Sequence, residues 1–168
     1  MLTRFADLVD VMNDRIGRGV AWLVLAMVLL LCAQVVARNA FDWASQAVAE
    51  SAVRMHALVF MLGLGYTLMR DEHVRVDLFS RHWSPRRRAI VDLFGFIFLL
   101  SPFCFLLFFS SLDYVSVSWR VLESSRETGG LPGVYLMKTV IPVAATLLLL
   151  QGLARAARAI VLLRETRA

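Results

Sequence analysis

Residues 19–37 read GVAWLVLAMVLLLCAQVVA, a run without a single charge in which Gln34 is the one strongly polar side chain. As a helix rising about 1.5 Å per residue it reaches roughly 28 Å, the thickness of a bilayer's hydrocarbon core. Three aspartates, Asp7, Asp10 and Asp14, precede it where a secretory signal would carry a plainly basic start. A lipoprotein site at Cys32 is also excluded, because Leu31 stands where a small residue is required. The run is therefore expected to remain as a membrane span. With 59% hydrophobic and 18% charged residues and a mean hydropathy of +0.67, the whole chain of 168 residues lies outside the usual soluble range.

Three further apolar blocks follow. Residues 55–69 are uncharged but short, so a spanning helix must begin near Ser45 and draw Glu50 and Arg54 into its outer half. A third span is expected over residues 90–112 with Pro102 near its middle, and a fourth over 134–154 with Pro142 inside. Each proline removes a backbone donor, which predicts a kink. Ahead of the first span, Leu2, Phe5, Leu8, Val9, Met12 and Ile16 recur at helical spacing among charged residues. That pattern predicts an amphipathic helix over 1–18, lying at the interface or extending the first span. The expected architecture is an all-α integral membrane protein: one domain over 1–168, with four transmembrane helices and an N-terminal interfacial helix.

Charge sets the orientation. Thirteen of the eighteen Lys and Arg residues fall before span one, between spans two and three, or after span four. The positive side stays inside, so both termini are expected in the cytoplasm. Trp22 near the inner ends and Trp43, Trp119 and Tyr135 near the outer ends suit membrane-interface anchors. The net charge of +5 flanks apolar runs and is not interleaved with aromatic residues, so nucleic acid is not an expected partner. Membrane lipids are, and the run Ser84 to Arg88 suits their anionic headgroups.

Few residues carry chemistry. Glu50 and Arg54 stand four apart and can neutralise each other on one helix face, as a structural pair or as part of a polar path. His56 is the sole histidine within a span, whereas a haem-ligating anchor needs two axial ligands. Cys32 and Cys104 lie in apolar runs and read as small core residues. Between spans two and three, the stretch Arg70 to Asp77 alternates Val74 and Val76 with His73, Arg75 and Asp77. Such a stretch can enter a crevice of a partner protein or simply face solvent. Gly152 with Ala156, and Ala33 with Ala37, have the spacing that lets helices approach closely. No phosphate loop, zinc-protease or nucleophile-elbow motif occurs, and no cofactor is implied.

Taken together, Trp43 to Glu50, residues 61–68 (MLGLGYTL), residues 71–77 (DEHVRVD) and residues 84–88 (SPRRR) resemble the small membrane subunit of tripartite ATP-independent periplasmic (TRAP) transporters, the DctQ-like family. Residues 127–132, Lys138, Pro142 and 150–152 are similar to a branch often labelled for mannitol, chloroaromatic or 2-oxo acid uptake. The resemblance implies a bacterial inner-membrane protein that packs against and anchors a large DctM-like permease subunit. A periplasmic solute-binding protein would deliver an organic acid or related solute, taken up on an ion gradient. It also implies that Glu50, Arg54, His73, Arg75 and Asp77 are assembly residues, with no catalytic, substrate or metal site in this chain. Two other classes stay open from the residues alone: a redox-enzyme membrane anchor and a stand-alone small exporter.

Overall fold

A computed structural model describes residues 2–70 and 83–165, with only the backbone of Leu2 and Glu165. Helix α1 covers Leu2–Phe41 and α2 covers Gln46–Met69; α3, Pro85–Gly95, passes through a π-helical turn, Phe96–Leu100, into α4, Ser101–Arg120; α5 is Val134–Glu165. Among the described residues there is no strand. Four rods, Thr3–Phe41, Gln46–Met69, Pro85–Arg120 and Val134–Arg164, are long and apolar enough to cross a membrane.

Local chemistry sets the breaks. At the end of α1 the chain turns through Asp42, which adopts the left-handed conformation (φ 51°) that Asp and Asn tolerate better than most side chains. α3 starts at an N-cap, where the Ser84 hydroxyl accepts the Arg87 backbone N–H at 3.3 Å and Pro85 fills the first helical position, where its missing donor is harmless. The expected disturbance at Pro102 takes the form of the π-turn just before it: the Ser101 N–H reaches back to the Phe96 carbonyl, so a widened turn precedes the residue that has no donor. Pro142 is buried inside α5, which continues through it.

α5 is the hub and touches every other helix. Its inward positions are small or slender: Ala144, Ala145, Ala154, Ala156 and Ala157 are all buried, with Leu147 and Leu148 between them. Helices that share lipid as solvent gain little from hiding leucine, so close backbone approach through small residues drives their packing. At Gly152 a Cβ would stand 2.7 Å from a Leu100 methyl and 2.8 Å from the Phe96 ring, so the π-turn seats directly on this glycine. Gly152 and Ala156 are thus both interface residues, whereas Ala33 is exposed. The outward faces remain apolar: Leu29 and Val36 on α1, Phe98 and Leu99 in the π-turn, Leu106 and Phe109 on α4 are all well exposed. An aqueous monomer does not present such a surface.

Of the two expected placements the N-terminal segment takes the one that extends the first span, and of the amphipathic stripe read in the sequence Val9 and Met12 pack inward. It is continuous with the first span through Gly17 and Gly19, each of which costs a helix only about 1 kcal/mol. Its buried face is Ala6, Val9, Asn13 and Gly17, while Leu8 is 69% exposed and Phe5 also faces outward. Ala6 and Val9 form a small core with Ala154, closed by Met12 and Leu150, so the segment packs on the far end of α5.

Candidate functional site

Polar chemistry is concentrated at the two ends of the bundle. At the end away from the termini, Glu50 and Arg54 stand one turn apart near the start of α2, joined by an ion pair of 3.3 Å. The pair grips the loop between α4 and α5. Arg54 donates to the Leu131 carbonyl at 2.6 Å and to the Pro132 carbonyl at 2.5 Å. Glu50 accepts the Leu131 backbone N–H at 2.8 Å and the Ser125 hydroxyl. Gly130 lies against this cluster so tightly that a Cβ would meet the Ser125 side chain and, at 2.8 Å, the Glu50 carboxylate. The two charges therefore satisfy each other and four groups of a loop more than seventy residues away.

A second clamp closes the same loop from the other side. Glu123 accepts Lys138 Nζ at 2.5 Å and the Ser118 hydroxyl at 2.6 Å. These hydrogen bonds, that from Lys138 first, hold the Glu123 carboxyl below the usual carboxylate range. Lys138 also lies 3.8 Å from the centre of the Tyr114 ring. Trp119 donates its indole N–H to Thr139 at 2.9 Å and packs edge-on against Tyr135, with ring centres 4.6 Å apart. Left-handed Leu122, Gly129 and Gly133 let the chain fold back between the clamps. Arg126, Glu127 and Thr128 are left exposed at the tip. A cleft of about 520 Å³ opens beside it, lined by Tyr114, Val117, Glu123, Arg126 and Lys138 among others.

At the end that carries the termini, a buried polar seam joins α1 to α5. Asn13 and Gln151 are both fully buried, and the Asn13 amide donates to Gln151 at 2.7 Å. Gln151 donates in turn to Asp10 at 2.8 Å, and Arg158 binds Asp10 at 2.6 Å and Asp7 at 3.1 Å. The other flank is tied by Arg70 to Asp14 at 3.0 Å and by Arg155, which reaches the Leu68 carbonyl at 3.0 Å and Asp92 at 3.7 Å. Two glycines allow the helices to meet here: a Cβ on Gly65 would collide with the Asn13 side chain, and one on Gly17 with the Tyr66 ring.

The profile of the family described as tripartite ATP-independent periplasmic transporters, DctQ component, matches residues 27–162. The chain belongs to the DctQ family. This makes it the small subunit of a TRAP transporter and a multi-pass membrane protein, from a family of transport components and not of enzymes. No curated protein and no solved structure matches the chain.

Both clamps of this DctQ chain lie inside the matched range, as do Gln151 and Arg158; Asp7, Asp10 and Asn13 precede it. Of the residues singled out in the sequence, the structure brings Glu50 and Arg54 together. His73, Arg75 and Asp77 lie outside the described residues. Trp22 is exposed on α1, Trp43 is exposed after α1, and Trp119 and Tyr135 form the aromatic pair at the loop. His56 is exposed on α2, Cys104 is buried and Cys32 exposed. Among the described residues no cluster of histidine, cysteine or carboxylate could hold a metal ion. Sequence reasoning missed the seam. Its one visible signal is Gln151, a lone amide closing the run Leu147 to Leu150.

Proposed function

We propose that this DctQ chain is the anchoring partner of a large DctM-like permease subunit in a bacterial inner membrane, with both termini cytoplasmic. A periplasmic solute-binding protein docks at the Glu123–Gly133 side, and an organic acid or related solute enters on an ion gradient. The observation that carries this reading is how the polar groups are used. The Glu50–Arg54 pair is committed to the chain's own loop, and the Asn13–Gln151 and Asp10–Arg158 contacts are committed to its own helices. What remains outward along the spans is mainly apolar, with isolated exceptions such as His56, Ser110 and Thr146. A carrier's own site needs converging polar groups near mid-membrane, commonly at broken helices. Here polarity builds a stiff frame, and apolar faces are offered to neighbours.

Under this reading Glu50 and Arg54 shape the outer docking surface, and His73, Arg75 and Asp77 belong to the contact with the large subunit. Residues 2–18 brace the complex on its inner side, where Trp22 also sits. The deciding experiment is purification of the full chain from its native membrane in mild detergent, followed by mass spectrometry. A large multi-span permease recovered in near-equal amount is the expected result. Recovery of the chain alone, or with a redox enzyme, overturns the reading.

A further inference from the structure

Where the start of α3 packs on the end of α5, Ala89 is buried in the seam between them. On one side of this seam lies a cleft of about 310 Å³ lined by Arg86 and Ile90 from α3 and by Ile160, Leu163 and Arg164 from α5. Arg86 and Ile90 are one helical turn apart on α3, as are Ile160 and Arg164 on α5, so each helix contributes one cation with an isoleucine one turn away, and α5 adds Leu163. In both helices the arginine lies nearer the end of the rod, and the isoleucine lies one turn deeper into the apolar span. The cleft is cationic at its mouth and apolar below. Ile90 is half exposed, which leaves this wall open to whatever surrounds the bundle.

The charge balance sets this cleft apart from its neighbour. On the other side of the seam, Arg155 and Arg158 share their cleft with Asp92 and are paired with Asp92, Asp7 and Asp10. Among the described residues no carboxylate lines the cleft of Arg86 and Arg164, so two like charges share this opening without an anion from them. Holding two guanidinium groups at one opening is unfavourable unless a negative group joins them, and arginine forks suit the oxygens of a phosphate.

We propose that this cleft binds an anionic phospholipid of the leaflet facing the termini, its phosphodiester between Arg86 and Arg164 and the first part of an acyl chain along Ile90, Ile160 and Leu163. A lipid fits because one molecule supplies both halves of the match, an anion at headgroup depth and hydrocarbon one turn deeper. A free phosphate ion supplies only the first. At about 1 kcal/mol for each basic residue near an anionic surface, two arginines give roughly a 30-fold preference over a zwitterionic lipid.

The test uses the delipidated full chain in a neutral detergent, with phosphatidylglycerol, phosphatidylcholine or inorganic phosphate added and bound molecules counted by native mass spectrometry. Phosphatidylglycerol is expected to bind about 30-fold more tightly than phosphatidylcholine. The double variant Arg86→Gln with Arg164→Gln should lose this preference with its helical circular dichroism unchanged. Arg87→Gln, whose guanidinium instead sits 4.7 Å from the Trp83 ring, should keep it. Equal binding of the two lipids, a preference that survives the double variant, or saturable binding of phosphate without preference for the anionic lipid would each overturn the proposal. A preference that disappears when the chain is purified with its permease partner would do so too, by showing that protein covers the cleft.

Discussion

Replacing Arg54 by methionine keeps an unbranched apolar stem and removes the charged guanidinium at its end. The guanidinium makes two charge-assisted bonds to consecutive carbonyls, those of Leu131 and Pro132, and one contact to Glu50, with the two charged side chains only 19% and 17% exposed. A hydrogen bond to a charged group contributes about 1.5–3 kcal/mol, and breaking a fully buried pair costs about 3–5 kcal/mol. The freed carbonyls lie at the end of the bundle where water can reach them, and Glu50 keeps Ser125 and the Leu131 N–H, so the loss is set at about 2–3 kcal/mol of loop stability. Amide exchange reads this locally. The Leu131 N–H opens with the loop, and its exchange should speed up about 30- to 150-fold, while amides in the middle of α5 change little. Glu50→Gln, which keeps an acceptor for one donor, should have a smaller effect. The two variants combined should cost less than their sum, because they share one network. An acceleration below about threefold at Leu131, or an equal acceleration throughout α2 and α5, would refute the idea that the pair acts as a latch on this loop.

Three other outcomes follow from the same contacts. Gln151→Leu leaves the fully buried Asn13 amide without its partner, while Asp10 keeps Arg158, and should cost about 1–3 kcal/mol, seen as a lower midpoint of thermal unfolding in detergent; Asn13→Leu in the same background should add little further. Gly152→Val pushes two methyl groups toward Phe96 and Leu100 and should destabilise by about 1–3 kcal/mol, with faster exchange of the Ser101 amide at the π-turn as the local sign. For Glu123 the sign runs with acid: its folded carboxyl lies below the ordinary range, so its contribution is present above that range and is lost as pH falls through the folded value. Glu123→Gln should therefore be less stable than the parent at neutral pH, and the gap should narrow on acidification; a gap that holds constant with pH would show that Lys138 and Ser118 do not set it.

The sequence makes the spans legible because bilayer thickness is a length, and runs such as 19–37 carry that length directly. Glu50 and Arg54 are legible as a pair because four residues is one helical turn. Their true partners are not, since Leu131 and Pro132 contribute backbone carbonyls, which look the same in every residue, from a loop 77 and 78 positions away. The N-terminal face misleads for a related reason. Hydrophobic spacing favours Leu8 and Phe5 along with Val9, but the partner helix offers a row of small residues and one amide, and of that stripe the surface accepts Val9, together with Ala6 and Asn13. Pro102 announces a missing donor and no more; the widened turn depends on Gly152 making room for Phe96 and Leu100.

The latch on the loop between α4 and α5 holds main chain at Leu131 and Pro132, and between its grips the side chains of Arg126, Glu127 and Thr128 stand exposed. Shape and lettering are therefore separable at this tip. Descendants of such a chain can rewrite those three side chains without re-engineering the scaffold, provided the left-handed Gly129 that follows them is kept, as surface loops on rigid supports tend to allow. The same separation makes residues 126–128 a natural place to graft an epitope or a short recognition peptide, with the clamps at Glu50 and Glu123 preserving the mount.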